Sequence, residues 1–398
     1  MTAAKGKIGT TAALVLAVAS TGVVIPWLRV LVEQANRGSV SASVFVDAHV
    51  VGGMVGAVLG ARALRLARSA RSLALAALAG SVATTLAIAA LDSFVPRVGL
   101  RLLDGACHVL AITALVAAAT SGDAELRARR SVRMGIAIVL GIGGGFGLGG
   151  GVVRDPVTAL VVAALLSGAA LVTVFAGVAT EPPEVAPPRA PGRRQIAPGL
   201  LAFGERFMFG TLSIAGPFLA TPARVGLVTG VAMTTSVVAM PFARRYARVS
   251  GVRRLAVRST LAFTVMLAAA PVIHVFASFG RALGWAIACG LSSGALYATV
   301  LVLVARSVAL EDRARDMATA HAAGNAGFAL GALCAGVMVG VLPDMLAVTV
   351  PSVAVIAAAT LAVWLTVPTA ARDCPVIGGI AGLGDDGEPR EPTRHPVT

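Results

Sequence analysis

The sequence is built from a series of apolar runs, each about 20 residues long, which is the length that an α-helix needs to cross a bilayer core. Twelve such runs can be read along the 398 residues. They cover approximately residues 8–32, 41–61, 72–91, 98–121, 133–152, 157–179, 199–221, 223–243, 255–278, 281–305, 317–341 and 345–368. Because only helices satisfy their own backbone hydrogen bonds in lipid, the pattern predicts an all-α integral membrane protein with about 12 transmembrane helices.

Composition supports lipid as the solvent of this surface. Hydrophobic residues make up 57% of the chain and charged residues 13%, against about 25% charged residues in an average soluble protein. The formal charge of +14 does not indicate a nucleic-acid partner, because the arginines fall in short gaps between apolar runs and not on one folded face. We expect the bilayer, a small solute and protons as partners, and a monomer.

The distribution of basic residues predicts an orientation. If the N-terminus is cytoplasmic, one side of the membrane receives most of the 33 lysines and arginines. The other side receives only Arg29, Arg37, Arg97, Arg101, Arg154, Arg224 and Arg281. The positive-inside rule therefore predicts a multi-pass protein of the cell inner (plasma) membrane with both termini in the cytoplasm.

A Pro-rich polar stretch from Glu181 to Arg194 divides the runs six and six. It predicts an N-terminal half at residues 1–180, a cytoplasmic linker at 181–198, a C-terminal half at 199–370 and a disordered tail at 371–398. The motif Arg65-Leu-Ala-Arg68 recurs 180 residues later as Arg245-Tyr-Ala-Arg248. This repeat indicates two duplicated halves related by an axis along the membrane normal.

The loop after the second run carries the first motif of a known family. Residues 60–69 keep Gly60, Arg65 and Arg68 of the pattern G-x-x-x-D-R-x-G-R-R, with Leu64 in place of the aspartate. With twelve runs and a central linker, the chain resembles the major facilitator superfamily of transporters. The resemblance implies a conformational role for these three residues, while the alternative is that the loop arginines only anchor the chain to lipid headgroups.

Two more motifs are similar to signatures of that family. Arg101-Leu-Leu-Asp104-Gly105 resembles R-x-x-x-G, which the family associates with proton coupling. The fifth run resembles the antiporter pattern G-x-x-x-G-P-x-x-G-G through Gly141, Gly145, Gly149 and Gly150, with phenylalanine at the proline position. Independently of the family, glycines spaced four residues apart predict close helix contact and bending in this run.

Ionisable residues inside apolar runs are the main functional candidates, because burying a charge in a bilayer is costly. Asp104 and His108 lie four residues apart on one helical face, and Arg101 lies one turn earlier. The three side chains are predicted to carry and gate a proton. The alternative is a static Arg101–Asp104 pair with His108 bonded to a neighbouring helix. Asp47 and His49 form a second candidate pair that needs partners on other spans.

Other polar residues are candidates for substrate binding. His321 and Asn325 lie four residues apart and predict a polar strip on the eleventh span, although bonds between helices explain them equally well. Trp285 is predicted to stack on a substrate or to anchor at the interface. Glu205 and Arg206 are adjacent and are expected to form a solvated interfacial pair.

These features predict a secondary transporter that exports a small lipophilic solute in exchange for protons by alternating access. Lipophilic cargo is expected because spans one, seven and ten carry few polar residues. Proton-linked uptake of a metabolite and a non-transporting membrane sensor are the alternatives. We expect no enzyme, cofactor or metal site, because the chain lacks a His-x-x-x-His motif, paired catalytic acids and a C-x-x-C pair.

Overall fold

A computed structural model describes residues 2–119, 124–177, 196–305, 310–342 and 345–366. These residues form thirteen α-helices and no strand. The helices are α1 (Thr2–Val24), α2 (Leu28–Glu33), α3 (Ser39–Leu66), α4 (Ala70–Ala90), α5 (Phe94–Ala119), α6 (Ala124–Gly151), α7 (Pro156–Gly177), α8 (Ile196–Leu219), α9 (Pro222–Ser250), α10 (Val252–Val272), α11 (Phe279–Ala305), α12 (Leu310–Met338) and α13 (Leu346–Thr366). The prediction of an all-α fold is confirmed.

Ten spans in the described residues are long and apolar enough to cross a membrane. The first of them joins α1 and α2 through a 3₁₀ turn at Ile25–Trp27. The helices α8 and α12 are not among the ten, although each has more than 20 residues. Outward-facing apolar side chains such as Val58 and Val172, which are 80% and 64% exposed, suit a surface covered by lipid.

Short polar signals mark several helix starts. Ser69 and Ser72 form a capping box at the start of α4, in which the Ser69 hydroxyl accepts the Ser72 backbone N–H at 3.1 Å. Before α7, the Asp155 carboxylate accepts the backbone N–H of Thr158 at 2.8 Å. The Thr158 hydroxyl and backbone N–H both donate to Asp155 and thereby lower the pKa of its carboxyl from the ordinary 3.8.

Small residues let the helices of the first set, α1 to α7, approach closely. A Cβ added to Gly145 of α6 would lie 3.1 Å from the Ala19 Cα of α1. A Cβ on Gly105 of α5 would lie 2.8 Å from the His49 Cα of α3. The residue contacts advance in the same order along both helices of each pair. The helix α1 therefore packs parallel to α6, and α3 packs parallel to α5.

The second set, α8 to α13, repeats this pairing. A Cβ on Gly327 of α12 would lie 2.9 Å from the Phe203 Cα of α8. A Cβ on Gly294 of α11 would lie 2.7 Å from the Ser236 Cα of α9. With the short α2 left aside, the first and fifth helices of each set pack together, and so do the second and fourth. This repeated pairing accompanies the 180-residue sequence repeat.

The two sets meet along α6 with α9 and along α3 with α12. The Ser39 hydroxyl at the start of α3 donates to the Gly336 carbonyl near the end of α12 at 2.7 Å. Arg29 of α2 donates to the Phe218 carbonyl of α8 at 3.4 Å. These contacts lie at the end of the bundle where α2 ends and α3 begins, here called the far end. The far end of the bundle is closed.

The predicted division into two halves joined by a linker stays a prediction. Residues 178–195, which hold most of the linker, lie outside the described residues, and so does the tail from residue 367. Ile196 already belongs to α8, so the last three residues of the predicted linker, 196–198, are helical.

Candidate functional site

Four ionisable side chains from the first set lie together, and we call them the His–Arg–Asp cluster: His49, Arg101, Asp104 and His108. His49 belongs to α3 and the other three to α5. All four residues are at most 8% exposed. Gly105, the residue that follows Asp104, lets α5 come close to the His49 backbone of α3. This glycine contact therefore sets the geometry of the cluster.

Asp104 lies at the centre of this cluster. Its Oδ2 accepts a hydrogen bond from Arg101 Nη1 at 2.6 Å and lies 3.2 Å from His49 Nδ1. Its Oδ1 accepts the Ser81 hydroxyl at 2.7 Å and the Thr85 hydroxyl at 3.4 Å. Both oxygens therefore have donors, which offsets the cost of burying the carboxylate.

The two histidines extend the cluster towards α1. Their ring centroids lie 5.3 Å apart, and His108 Nε2 lies 3.2 Å from the Thr21 hydroxyl. The sequence placed His108 beside Asp104, whereas the structure also brings His49 of α3 within 3.2 Å of the carboxylate. Three groups that can hold a proton, Asp104, His49 and His108, thus lie next to one another.

The predicted Arg101–Asp104 contact is present, and so is a bond from His108 to a neighbouring helix. The same contacts suit a proton pathway and a static pair. Asp47 of α3 is partly buried, and its Oδ1 has no hydrogen-bond partner among the described residues. His49 has the expected partner on another span, Asp104, whereas the role of Asp47 in this candidate pair stays a prediction.

Sequence reasoning missed the hydroxyls that hold the cluster. Ser81 and Thr85 lie four residues apart on α4, so their side chains share one helical face. The same spacing rule that selected Asp104 and His108 would have selected this pair. Thr21 carried no comparable signal, because it follows Ser20 in an otherwise apolar run.

A second polar site lies in the other set, between α8, α11 and α12, and we call it the Arg206 pocket. Its polar lining comes from Arg206, Tyr297, His321 and Asn325. Its apolar lining comes from Ala202, Val300, Ala320 and the backbone at Gly324. The predicted strip of His321 and Asn325 therefore lines a pocket, together with an arginine and a tyrosine that the prediction did not include.

The expectation of a solvated Glu205–Arg206 pair is wrong for Glu205. This residue is 5% exposed, and its Oε1 accepts the Ser293 hydroxyl of α11 at 2.8 Å. Its Oε2 lies 3.4 Å from Arg206 Nε and has no hydrogen-bond partner in the described residues. The packing of α11 against α8 covers this side of Glu205, which adjacency in the sequence could not show.

Trp285 lies apart from the Arg206 pocket. It is 3% exposed, and its indole N–H donates to the Met266 carbonyl of α10 at 2.7 Å. It is not among the residues that line the pocket. Its indole N–H therefore takes part in the contact between α10 and α11.

The predicted conformational glycines lie on two faces of α6. Gly141, Gly145 and Gly149 face α1, and a Cβ on Gly149 would lie 3.0 Å from the Val23 Cα. Gly150 faces α9, where its Cβ would lie 2.7 Å from the Gly226 Cα. One face thus packs within the first set and the other against the second set.

The loop motif lies at the end of α3. A Cβ on Gly60 would lie 3.2 Å from the Thr113 side chain of α5. Arg68 is exposed in the bend between α3 and α4. The side chain of Arg65 lies outside the described part of the structure, so its predicted role stays a prediction.

Comparison with solved structures finds proteins of similar fold. A D-xylose-proton symporter matches with a TM-score of 0.71 at 14% sequence identity, over 92% of this chain and 98% of the other. The chain has the fold of major facilitator transporters. The human organic anion transporter MFSD10 matches with a TM-score of 0.63 at 18% identity, over 90% of this chain and 98% of that one.

The nucleoside transporter NupG also has this major facilitator fold, with a TM-score of 0.66 at 12% identity over 91% of this chain and all of the other. No protein-family model and no curated protein matches the sequence. The three structures are transporters by name. At these identities the likeness concerns the fold.

Proposed function

We propose that the protein is a proton-coupled secondary transporter that exports a small lipophilic organic solute. The observation that carries the proposal is the buried His–Arg–Asp cluster inside a major facilitator fold. Ionisable groups in a membrane interior are costly and usually serve a proton or substrate pathway. Asp104 exchanges the proton, Arg101 biases that exchange through its charge, and His49 and His108 extend the pathway.

Alternating access follows from the contacts between the two sets of helices. The far end is closed through α3 with α12 and α6 with α9, whereas the pairs α1 with α6 and α8 with α12 hold each set together internally. Each set can therefore move as a body while the contacts between sets are exchanged. With both termini in the cytoplasm of a cell inner membrane, the closed far end is the external one.

Proton-linked uptake is the second candidate. It is favoured by the similarity to a structure named as a D-xylose-proton symporter. The same cluster serves either direction, because the direction depends on which conformation releases the proton. A sensor without transport remains the third candidate and predicts no solute-dependent flux.

Proton movement in proteoliposomes tests the proposal. The purified protein is reconstituted with an internal pH-sensitive dye, and lipophilic acids, lipophilic amines and sugars are added in turn. We expect a solute-dependent proton flux in the wild type, and we expect Asp104→Asn to lose it. The matched control is Asp155→Asn, which changes an exposed aspartate outside the spans and retains the flux.

Ser81→Ala provides a milder variant, because it removes one donor to Asp104 and leaves the charges in place. We expect its flux to be reduced and its pH dependence to move. Full flux in correctly folded Asp104→Asn would contradict proton exchange at Asp104. Solute movement without proton flux would favour facilitated diffusion.

A further inference from the structure

The residues of the Arg206 pocket indicate a chemical class of ligand, which the proposed export of a lipophilic solute does not specify. Among the lining residues that the structure describes, Arg206 carries the permanent charge and none is acidic. Tyr297 and Asn325 add hydrogen-bond donors. Ala202 and Val300 supply apolar wall. Such a lining suits one anionic group such as a carboxylate.

Arg206 keeps unused binding capacity in this structure. Its Nε lies 3.4 Å from Glu205 Oε2, which is longer than the roughly 2.7–2.9 Å of a charge-assisted hydrogen bond. The two residues are adjacent in α8, so their side chains cannot face each other fully. A guanidinium has five N–H donors in a fixed fork, and among the described residues Glu205 is its one charged contact, so donors remain for a carboxylate.

Glu205 is a partial counter-ion within the protein. Ser293 holds its Oε1, while its buried Oε2 lacks a hydrogen-bond donor among the described residues. The Arg206 side chain is mostly enclosed, and an enclosed charge without any counter-ion is costly, so Glu205 stabilises Arg206. An incoming carboxylate offers Arg206 two direct hydrogen bonds and competes with this weaker contact.

We propose that the Arg206 pocket binds the carboxylate of a small organic anion, with Arg206 as the ligand and Glu205 as the internal competitor. The inference rests on the proposed transport function and names its substrate class. Glu205→Gln keeps the shape and the bond to Ser293 but removes the competing charge. Two adjacent residues should therefore act in opposite directions on anion binding.

Thermal unfolding of the purified protein measures this binding directly. Acetate, butyrate and benzoate are titrated at constant ionic strength, each beside its uncharged amide, because a ligand of the folded state raises the Tm. We expect at least one carboxylate to raise the Tm and its amide not to do so. Arg206→Gln should weaken that carboxylate about tenfold or more, and Glu205→Gln should tighten it about fivefold or more.

Two control variants separate the geometry of the Arg206 guanidinium from its charge and from a general loss of an arginine. Arg206→Lys retains the positive charge but loses the two-pronged geometry, so it folds and binds the carboxylate more weakly than the wild type. Arg154→Gln removes an exposed arginine outside the spans and leaves binding unchanged. An amide that binds as well as its acid, or no Tm increase with any carboxylate, would overturn the proposal. So would unchanged binding in both Arg206 variants.

The test separates this inference from the proposed function. Asp104→Asn lies in the other set and should leave carboxylate binding in place while proton flux is lost. Proton flux that depends on Asp104, together with carboxylate binding that ignores Arg206, would overturn the anion site alone. Binding through Arg206 without proton flux would overturn the coupling alone.

Discussion

Gly150 provides a direct test of how the two helix sets meet. It lies on the face of α6 that contacts α9 at the closed far end. A Cβ added at this position would lie 2.7 Å from the Gly226 Cα and 3.0 Å from the Gly226 nitrogen. Since ordinary carbon contacts begin at about 3.4 Å, Gly150→Ala forces the two backbones apart. Neither neighbour is a flexible side chain that can move aside.

The magnitude follows from the cost of overpacking, which is about 1–3 kcal/mol for an added methyl group or similar change. The cost falls on the state in which the far end is closed, because opening that end separates α6 from α9. The ratio of open to closed molecules should therefore rise roughly 5- to 150-fold. The gain in helix propensity from glycine to alanine applies to both states and does not change this ratio.

Pulsed electron spin resonance measures the far-end distance between labels on cysteines placed at Gln34 and Thr221, which are both exposed. The native cysteines are replaced for this experiment. We expect Gly150→Ala to increase the long-distance population. The control is Gly144→Ala, which lies within the same helix and has nothing within 4 Å of the added Cβ. Identical distance distributions in the two variants would refute the assigned contact.

Three further predictions concern stability. Asp104→Asn should cost about 3–5 kcal/mol because it leaves Arg101 buried without its partner, and adding Arg101→Gln should recover part of the lost Tm; a double variant less stable than the single one would contradict the pairing. Gly145→Ala should cost about 1–3 kcal/mol without changing the far-end distance, because it separates helices within one set. Asp155→Ala should cost about 1 kcal/mol through loss of the α7 cap, whereas Asp155→Asn keeps it. Hydrogen bonds from Thr158 lower the pKa of Asp155. The higher free energy of unfolding of the wild type relative to Asp155→Ala should therefore be present above about pH 4 and should disappear as the carboxyl is protonated at lower pH.

The sequence predicted the helices because they depend on local composition. An apolar run of about 20 residues has few alternatives to a helix in lipid, and charges in the gaps mark its ends. Glycines spaced four residues apart predicted a close helix contact in α6. Ion pairs within one helix were also predictable, since Arg101 and Asp104 lie one turn apart and meet at 2.6 Å.

The partners of each polar face depended on how the helices pack. Asp104 and His49 are 55 positions apart in the chain, and only the contact of α3 with α5 brings them within 3.2 Å. Glu205 was interpreted as a solvated residue because it lies near the predicted inner end of its span and is adjacent to Arg206, which it cannot face on a helix. Its burial against Ser293 depends on α11, which the pattern around residue 205 does not include.

Helix formation is a local property set by each run and its solvent, so the sequence alone determined the all-α membrane architecture and its ionisable candidates. Site geometry is a property of packing between runs, in which small residues decide how near two backbones come. The sequence contains those glycines but does not state which helix each one faces. Only the tertiary structure decided that His49 meets Asp104, that Arg206 lines a pocket with Tyr297, and that α6 meets α1 on one face and α9 on the other.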